Sequence, residues 1–193
     1  MDKQRLDDLK KVYKKYYFPE INLEPLKENL KIGERSPKYI QNKLDDAEEL
    51  GKYFLSRIQL EYAKKGLDVV DAPTEDSFIW ELAIVELDAT GVAVNAAATV
   101  AGIFVPGSGL VKRFATGSIA IEGIIRDGKT GDILAEFKDR EADKETVLSA
   151  RDFQKYSHAR YTLDEWAEQF AQLSSTTSDV KVEDSLPVTI NPF

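Results

Sequence analysis

The chain has 193 residues, enough for one domain with a substantial apolar core, and 42% of them are hydrophobic, as in ordinary globular proteins. Its formal net charge of −8 argues against a nucleic-acid partner, because phosphate binding depends on clustered Lys and Arg. It contains no cysteine, which excludes disulfides and thiolate metal sites but is compatible with any compartment.

The N-terminus is charged from Asp2 onward and lacks the apolar core of a secretory signal peptide. The chain therefore fits either a cytosolic protein or an exported one whose signal has been removed.

The first predicted strand lies within residues 12–24. Tyr16, Tyr17 and Phe18 form an aromatic run that favours a strand, and Pro19 is typical of a sheet edge. We expect an edge strand here.

A long helix is predicted over residues 37–65. Ser36 can cap its N-terminus and Pro37 suits the first helical position, while Gly66 suits the C-terminal end. Apolar residues then recur at three- and four-residue steps along one face: Ile40, Leu44, Ala47, Phe54, Ile58 and Tyr62.

Two strands are predicted after this helix. Residues 67–71 form a short strand entered directly from the helix and closed by Pro73. Residues 77–88 carry apolar side chains at both parities, interrupted by Glu81, which predicts a strand covered on much of both faces.

A β-hairpin is predicted from residues 116–127 and 132–140. Asp127 can bond the backbone of the turn, and either Gly128 or Gly131 can adopt the positive φ that such a loop needs. The residues that share one parity on each strand are Ile119, Ile121 and Ile125, and Ile133, Ala135 and Phe137.

Residues 89–111 contain no charged side chain and are dominated by Ala, Gly, Val and Thr. The segment is long enough to cross a bilayer as a helix, but Pro106 and several glycines interrupt it. We expect close packing on the domain or on a neighbouring subunit. The candidate contact residues are Val92, Val94, Ala97, Val100, Gly102, Ile103, Phe104 and Val105.

The last predicted helix spans 162–173 and opens with the capping box Thr162 to Glu165. Residues 174–193 follow as a tail that is flexible or strapped along the surface. We therefore predict a single α+β domain over 1–173, with a mostly antiparallel sheet of about five strands and two main helices on one face.

No catalytic, metal or nucleotide motif stands out, so we expect no cofactor. His158 is the only histidine and cannot build a two-histidine zinc site, and no nucleophile elbow presents a serine to it. An enzyme or small-ligand carrier would have to use acidic residues around Glu122 and Asp139, converging in an enclosed pocket.

Several motifs resemble a family of uncharacterised Gram-negative bacterial lipoproteins known only as a domain of unknown function. They are Ile121-Glu122-Gly123, Asp127, Thr130-Gly131, Asp139-Arg140 and Trp166-Ala167, and with the order of upstream elements the resemblance spans roughly residues 10–173. The family's signal peptide and lipid-bearing cysteine are not in this chain, and the tail after Ser174 has no counterpart. The resemblance implies a periplasmic or outer-membrane-facing domain and implies no activity.

These observations favour a non-catalytic cell-envelope domain that binds a protein or envelope partner, including a second copy of itself through residues 89–111. Contact with a membrane would then depend on a lipid anchor outside this chain. The alternatives are a membrane-associating or pore-type subunit that inserts the same segment, and the carrier or enzyme described above.

Overall fold

A computed structural model describes residues 3–88, 118–142, 156–176 and 189–191. Its helices are α1 (Lys3–Val12), α2 (Glu24–Ile32), α3 (Pro37–Lys64) and α4 (Ser157–Ser175). Its strands are β1 (Lys15–Tyr17), β2 (Asp68–Val70), β3 (Ser77–Asp88), β4 (Ser118–Asp127), β5 (Ile133–Ala142) and β6 (Thr189–Asn191).

The strands form one sheet in the order β2-β1-β3-β4-β5-β6. Strand β1 pairs in parallel with β2 and with β3. The neighbouring pairs β3–β4, β4–β5 and β5–β6 are antiparallel. The α+β class with a mostly antiparallel sheet is therefore confirmed. A sixth strand, β6, comes from the region predicted as a tail.

The long helix α3 follows the signals in its sequence. Ser36 Oγ accepts a hydrogen bond from the Tyr39 backbone N–H at 3.3 Å, and Pro37 opens the helix. At the other end Gly66 adopts a φ of +68°, and the Leu67 N–H donates a hydrogen bond to the Tyr62 carbonyl at 3.0 Å.

Helix α4 starts earlier than predicted. It begins at Ser157, so Thr162 is a fully buried residue of the second turn and does not cap the helix. The capping-box pattern was misleading because the same spacing also occurs inside a helix whose face is buried.

The predicted strand over 12–24 is largely wrong. Only Lys15–Tyr17 is a strand, because α1 ends at Val12 and α2 begins at Glu24. Asn22 forms a single parallel bridge to Ala83, and its side chain accepts from the Glu24 N–H at 3.0 Å as α2 starts. The sequence pattern missed α1 and α2 because most residues of both helices are polar, as in loops.

Two bulges change which side chains face the helices. In β3 the register shifts between Ile84 and Glu86, so Leu87 rejoins Ile84 on the buried side. In β5 Leu134 is the extra residue and is buried, while Ile133 is 48% exposed. The prediction that Ile133 faces inward was therefore wrong. In β3 the fully buried apolar side chains all lie on one face of the strand.

The turn between β4 and β5 forms as predicted. Asp127 Oδ1 accepts the Lys129 N–H at 2.9 Å, and Gly131 takes the positive φ, at +75°. Gly128 serves a different purpose, since its N–H donates to the Ser77 carbonyl at 2.9 Å and leaves no room for a Cβ.

Helices α3 and α4 pack on each other and cover one face of the sheet. Apart from Ala120, the buried apolar side chains of the described residues form one connected cluster. Within it, Phe170 of α4 contacts two other rings. The ring centroid of Phe54 in α3 lies 6.0 Å away and that of Trp80 in β3 lies 5.0 Å away.

Candidate functional site

A cavity of about 70 Å³ lies between the sheet and the C-terminal end of α4. We call it the α4 cavity. Aromatic and aliphatic side chains from β3, β4, β5 and α4 form most of its wall, among them Phe78, Trp80, Ile125, Phe137 and Phe170. Such a wall suits an apolar group, because the group removes its own apolar surface from water when it contacts these side chains.

Aromatic packing fixes the shape of this wall. Phe137 stacks edge-to-face on Phe170 with ring centroids 5.3 Å apart, and Trp80 contacts both rings. The Phe137 ring lies across Gly123 of the neighbouring strand, where any Cβ would collide with it. Gly123 therefore allows Phe137 to reach the cavity.

The polar side of the cavity is formed by the last turn of α4. Lys10 Nζ donates to the carbonyls of Leu173 at 2.6 Å and Thr176 at 3.1 Å, and Tyr16 donates to the Ser174 carbonyl at 3.2 Å. The last carbonyls of a helix have no partner within the helix, so these side chains act as a C-terminal cap contributed by α1 and β1.

A tyrosine of α3 completes this cap. Tyr62 donates to the Phe170 carbonyl at 3.3 Å and hydrogen-bonds with Ser174 Oγ at 2.8 Å. Burial raises the pKa of Tyr62 well above its ordinary value and that of Tyr16 to about 12, so both hydroxyls keep their protons at neutral pH. Partial burial lowers the pKa of Lys10, and the nearby Asp7 carboxylate offsets part of that effect.

Trp80 adds an unusual feature to the wall. Its Nε1 is buried and has no hydrogen-bond partner among the described residues. A buried donor without an acceptor costs about 1–3 kcal/mol. Trp80 thus contributes one buried polar atom that has no hydrogen-bond acceptor among the described residues.

Known proteins resemble this chain over most of its length. A family model described as "Protein of unknown function (DUF3313)" matches residues 11–170. The chain belongs to this family. The match confirms the resemblance that the hairpin and late-helix motifs indicate. Most of the cavity wall lies within the matched residues, whereas Lys10, Leu173 and Ser174 lie just outside them.

The chain is also similar to a solved structure of a minor lipoprotein from Acinetobacter baumannii. The two share 12% sequence identity with a TM-score of 0.41, over 85% of this chain and 94% of that one. No curated protein matches the chain.

The acidic residues considered for catalysis are not brought together in this DUF3313 domain. Glu122 pairs with Lys138 at 2.8 Å on the sheet face opposite the helices. Asp139 lies on the helix-covered face and accepts the Trp166 indole N–H at 2.6 Å. Two carboxylates on opposite faces of a sheet cannot share a substrate.

A second charged group lies where β3 ends and β4 begins. Arg140 forms a forked ion pair with Glu86, with contacts of 2.6 to 3.2 Å, and Ser118 also donates to Glu86. On the other side of the sheet, buried Lys43 donates to the Leu87 carbonyl at 2.7 Å. These contacts hold the end of β3 against β4, β5 and α3.

The candidate contact residues of the uncharged segment, from Val92 to Val105, lie outside the described residues. Among the residues that the structure does describe, no group of acidic or histidine side chains could hold a metal ion. Within the same ranges, no helix has the length and apolar character needed to cross a bilayer.

Sequence reasoning missed the α4 cavity altogether. Its wall and rim come from six elements, from Lys10 in α1 to Ser174 in α4. The one available signal was Gly123 opposite an aromatic residue on the paired strand, which is typical of a ring covering a glycine.

Proposed function

We propose that this DUF3313 protein is a non-catalytic cell-envelope domain, periplasmic or anchored at the outer membrane, that binds a protein or envelope partner. Its binding site is the α4 cavity, which receives a compact apolar group of that partner. The envelope location rests on the resemblance to lipoproteins, and the binding role rests on the cavity.

The observation that supports binding rather than catalysis is the state of the polar groups beside the cavity. Lys10 and Tyr16 donate to backbone carbonyls, and Ser174 Oγ is held by Tyr62. A nucleophile or general base needs a free, activated atom facing its substrate. These side chains instead hold the end of α4 in place.

The size of the cavity limits what it can receive. About 70 Å³ is well below the roughly 300–1,000 Å³ of sites that enclose drug-sized ligands. A branched aliphatic side chain or the end of an acyl chain is of suitable size. Burying one such group contributes about 1.5–3 kcal/mol, which suits an anchoring contact within a larger interface.

The two tryptophans provide a test with an internal control. Trp80 lines the cavity, whereas Trp166 donates to Asp139 outside it. Titration with xenon or 1-hexanol should shift the Trp80 indole N–H resonance in NMR spectra and leave that of Trp166 in place. Unchanged Trp80 resonances at saturating xenon and 1-hexanol would disprove the proposal.

Matched variants locate the probe. Ala135 is buried in the cavity wall, and Ala63 is exposed on α3. Ala135→Leu should fill the cavity and abolish the Trp80 response, while Ala63→Leu should leave it intact. A response that survives Ala135→Leu would place the probe elsewhere.

We further infer, from the sequence alone, that the uncharged segment 89–111 provides a contact with a partner, including a second copy of the chain. Gly102→Glu or Ala97→Glu would place a charge within that contact. Light scattering should then report a smaller mass for the variants than for the unchanged protein. An identical mass for all three proteins would contradict self-association through this segment.

A further inference from the structure

The opening of the α4 cavity can be located from exposure. Most residues of its wall are buried, including Tyr16, Phe78 and Phe170. Lys10 and Leu173 are the two lining residues that are partly exposed. The cavity therefore meets solvent between α1 and the last turn of α4.

One hydrogen bond spans this opening. Lys10 Nζ donates to the Leu173 carbonyl at 2.6 Å, and a second bond to the Thr176 carbonyl, at 3.1 Å, extends the link. A charged donor near the negative end of a helix is favoured both as a hydrogen bond and by the helix dipole. The lysine side chain thus lies across the only opening that the described residues indicate.

Two apolar side chains in the second half of α1 are not fully buried. Its Val12 is 71% exposed, and Leu9 packs only partly against the core. The next residue, Tyr13, is firmly held, because its ring meets Phe78 edge-to-face and its hydroxyl donates to Asp127 at 3.1 Å. Tyr13 therefore anchors the junction between α1 and β1.

We propose that α1 is a lid on the α4 cavity and that Lys10 is the latch that holds it closed. This inference rests on the proposed function of the cavity. An apolar group of the partner enters when Lys10 releases the Leu173 and Thr176 carbonyls and α1 moves away, whereas a free small molecule also allows the latch to close again behind it. For such a free molecule Lys10 therefore controls the rate of entry and exit more than the affinity.

The test compares exchange rates of 1-hexanol measured by NMR line shape at the Trp80 indole. Lys10→Met keeps the length of the side chain but removes the donors, and it should speed both association and dissociation by about tenfold or more, with the dissociation constant changed less than about threefold. Lys10→Arg restores donors and a charge and should return the rates toward those of the unchanged protein.

Lys11 offers the matched control, because its side chain is exposed and pairs with Asp8 on the surface. Lys11→Met should leave both rates unchanged. Equal rates in the unchanged protein and Lys10→Met, with binding intact, would overturn the lid and leave the proposed function standing. A Lys10→Met protein that exchanges at the same rate but loses affinity would show that Lys10 only shapes the cavity, which also overturns the lid.

Failure of the proposed function would give a different experimental result. In that case 1-hexanol leaves the Trp80 resonance of the unchanged protein in place, and no exchange rate can be measured in any variant. Thermal unfolding of Lys10→Met, run alongside, should show one cooperative transition, which establishes that the exchange rates come from the folded protein.

Discussion

Trp166 of α4 donates its indole N–H to Asp139 of β5 at 2.6 Å, across the interface between helix and sheet. The bond is charge-assisted and partly buried, so it contributes more than an exposed contact would. It also contrasts with Trp80, whose buried Nε1 has no acceptor among the described residues. The two tryptophans of the chain therefore differ in a way that mutation can measure.

We expect Trp166→Phe to destabilise the domain more than Trp80→Phe. Both changes remove similar volume, but the first leaves the partly buried Asp139 without its indole donor, and the second removes a donor that had no acceptor. The difference in unfolding free energy, measured by urea denaturation, should be about 1–3 kcal/mol. Equal losses would mean that the Trp166–Asp139 bond adds nothing to stability.

The same carboxylate gives a pH dependence. The pKa of Asp139 is raised, mainly because burial disfavours its charged form, and hydrogen bonds from Trp166 and the Arg140 backbone only partly oppose this. Folded protein therefore takes up this proton at a higher pH than the unfolded chain. The stabilisation is complete below the unfolded-state pKa and is lost as pH rises through the folded-state pKa.

Asp139→Asn removes this titration. As pH falls from about 7 to about 4, the stability of the unchanged protein should rise relative to that of the variant, in urea unfolding measured at each pH. A difference between the two proteins that stays constant over this range would show that Asp139 titrates alike in the folded and unfolded states.

Gly128→Ala should be more destabilising than Gly66→Ala. A Cβ at Gly128 would collide with the backbone carbonyls of Thr74 and Ser77, and the Ser77 carbonyl cannot move without displacing β3. Gly66 has open space around it and a φ of +68°, so its replacement costs only the left-handed conformation, about 1–2 kcal/mol. Urea denaturation should place Gly128→Ala at about 2–4 kcal/mol. A smaller loss than for Gly66→Ala would show that the turn relaxes away from β3.

Two ion pairs on the sheet should differ in strength. Glu86 and Arg140 are about three-quarters buried and form a forked pair, whereas Lys138 in the Glu122 pair is 75% exposed. Double-mutant cycles to alanine should give a coupling of about 1–3 kcal/mol for the first pair and below about 1 kcal/mol for the second.

Salt provides a control for these cycles, because screening acts mainly on exposed charges. Raising the ionic strength should weaken the Glu122–Lys138 coupling and largely spare that of Glu86 and Arg140. Equal couplings at low salt would contradict the role assigned to burial.

Local signals in the sequence predicted elements whose causes are themselves local. The caps of α3 at Ser36 and Gly66, and the Asp127 turn with Gly131 at positive φ, all depend on residues a few positions apart. Helix α1 and helix α2 were missed because their polar composition resembles that of loops. The bulges at Val85 and Leu134 were missed because an alternating pattern cannot reveal one inserted residue.

By itself, the sequence determined the α+β class, the long helix and the central hairpin, because propensity, capping and alternation act over short distances along the chain. The family followed from its resemblance to known motifs and not from these local signals. Only the tertiary structure revealed the candidate site. Lys10 reaches the carbonyl of Leu173 across 163 positions, and Glu122 and Asp139 are separated by the two faces of one sheet. Such relations depend on how packed elements meet in space.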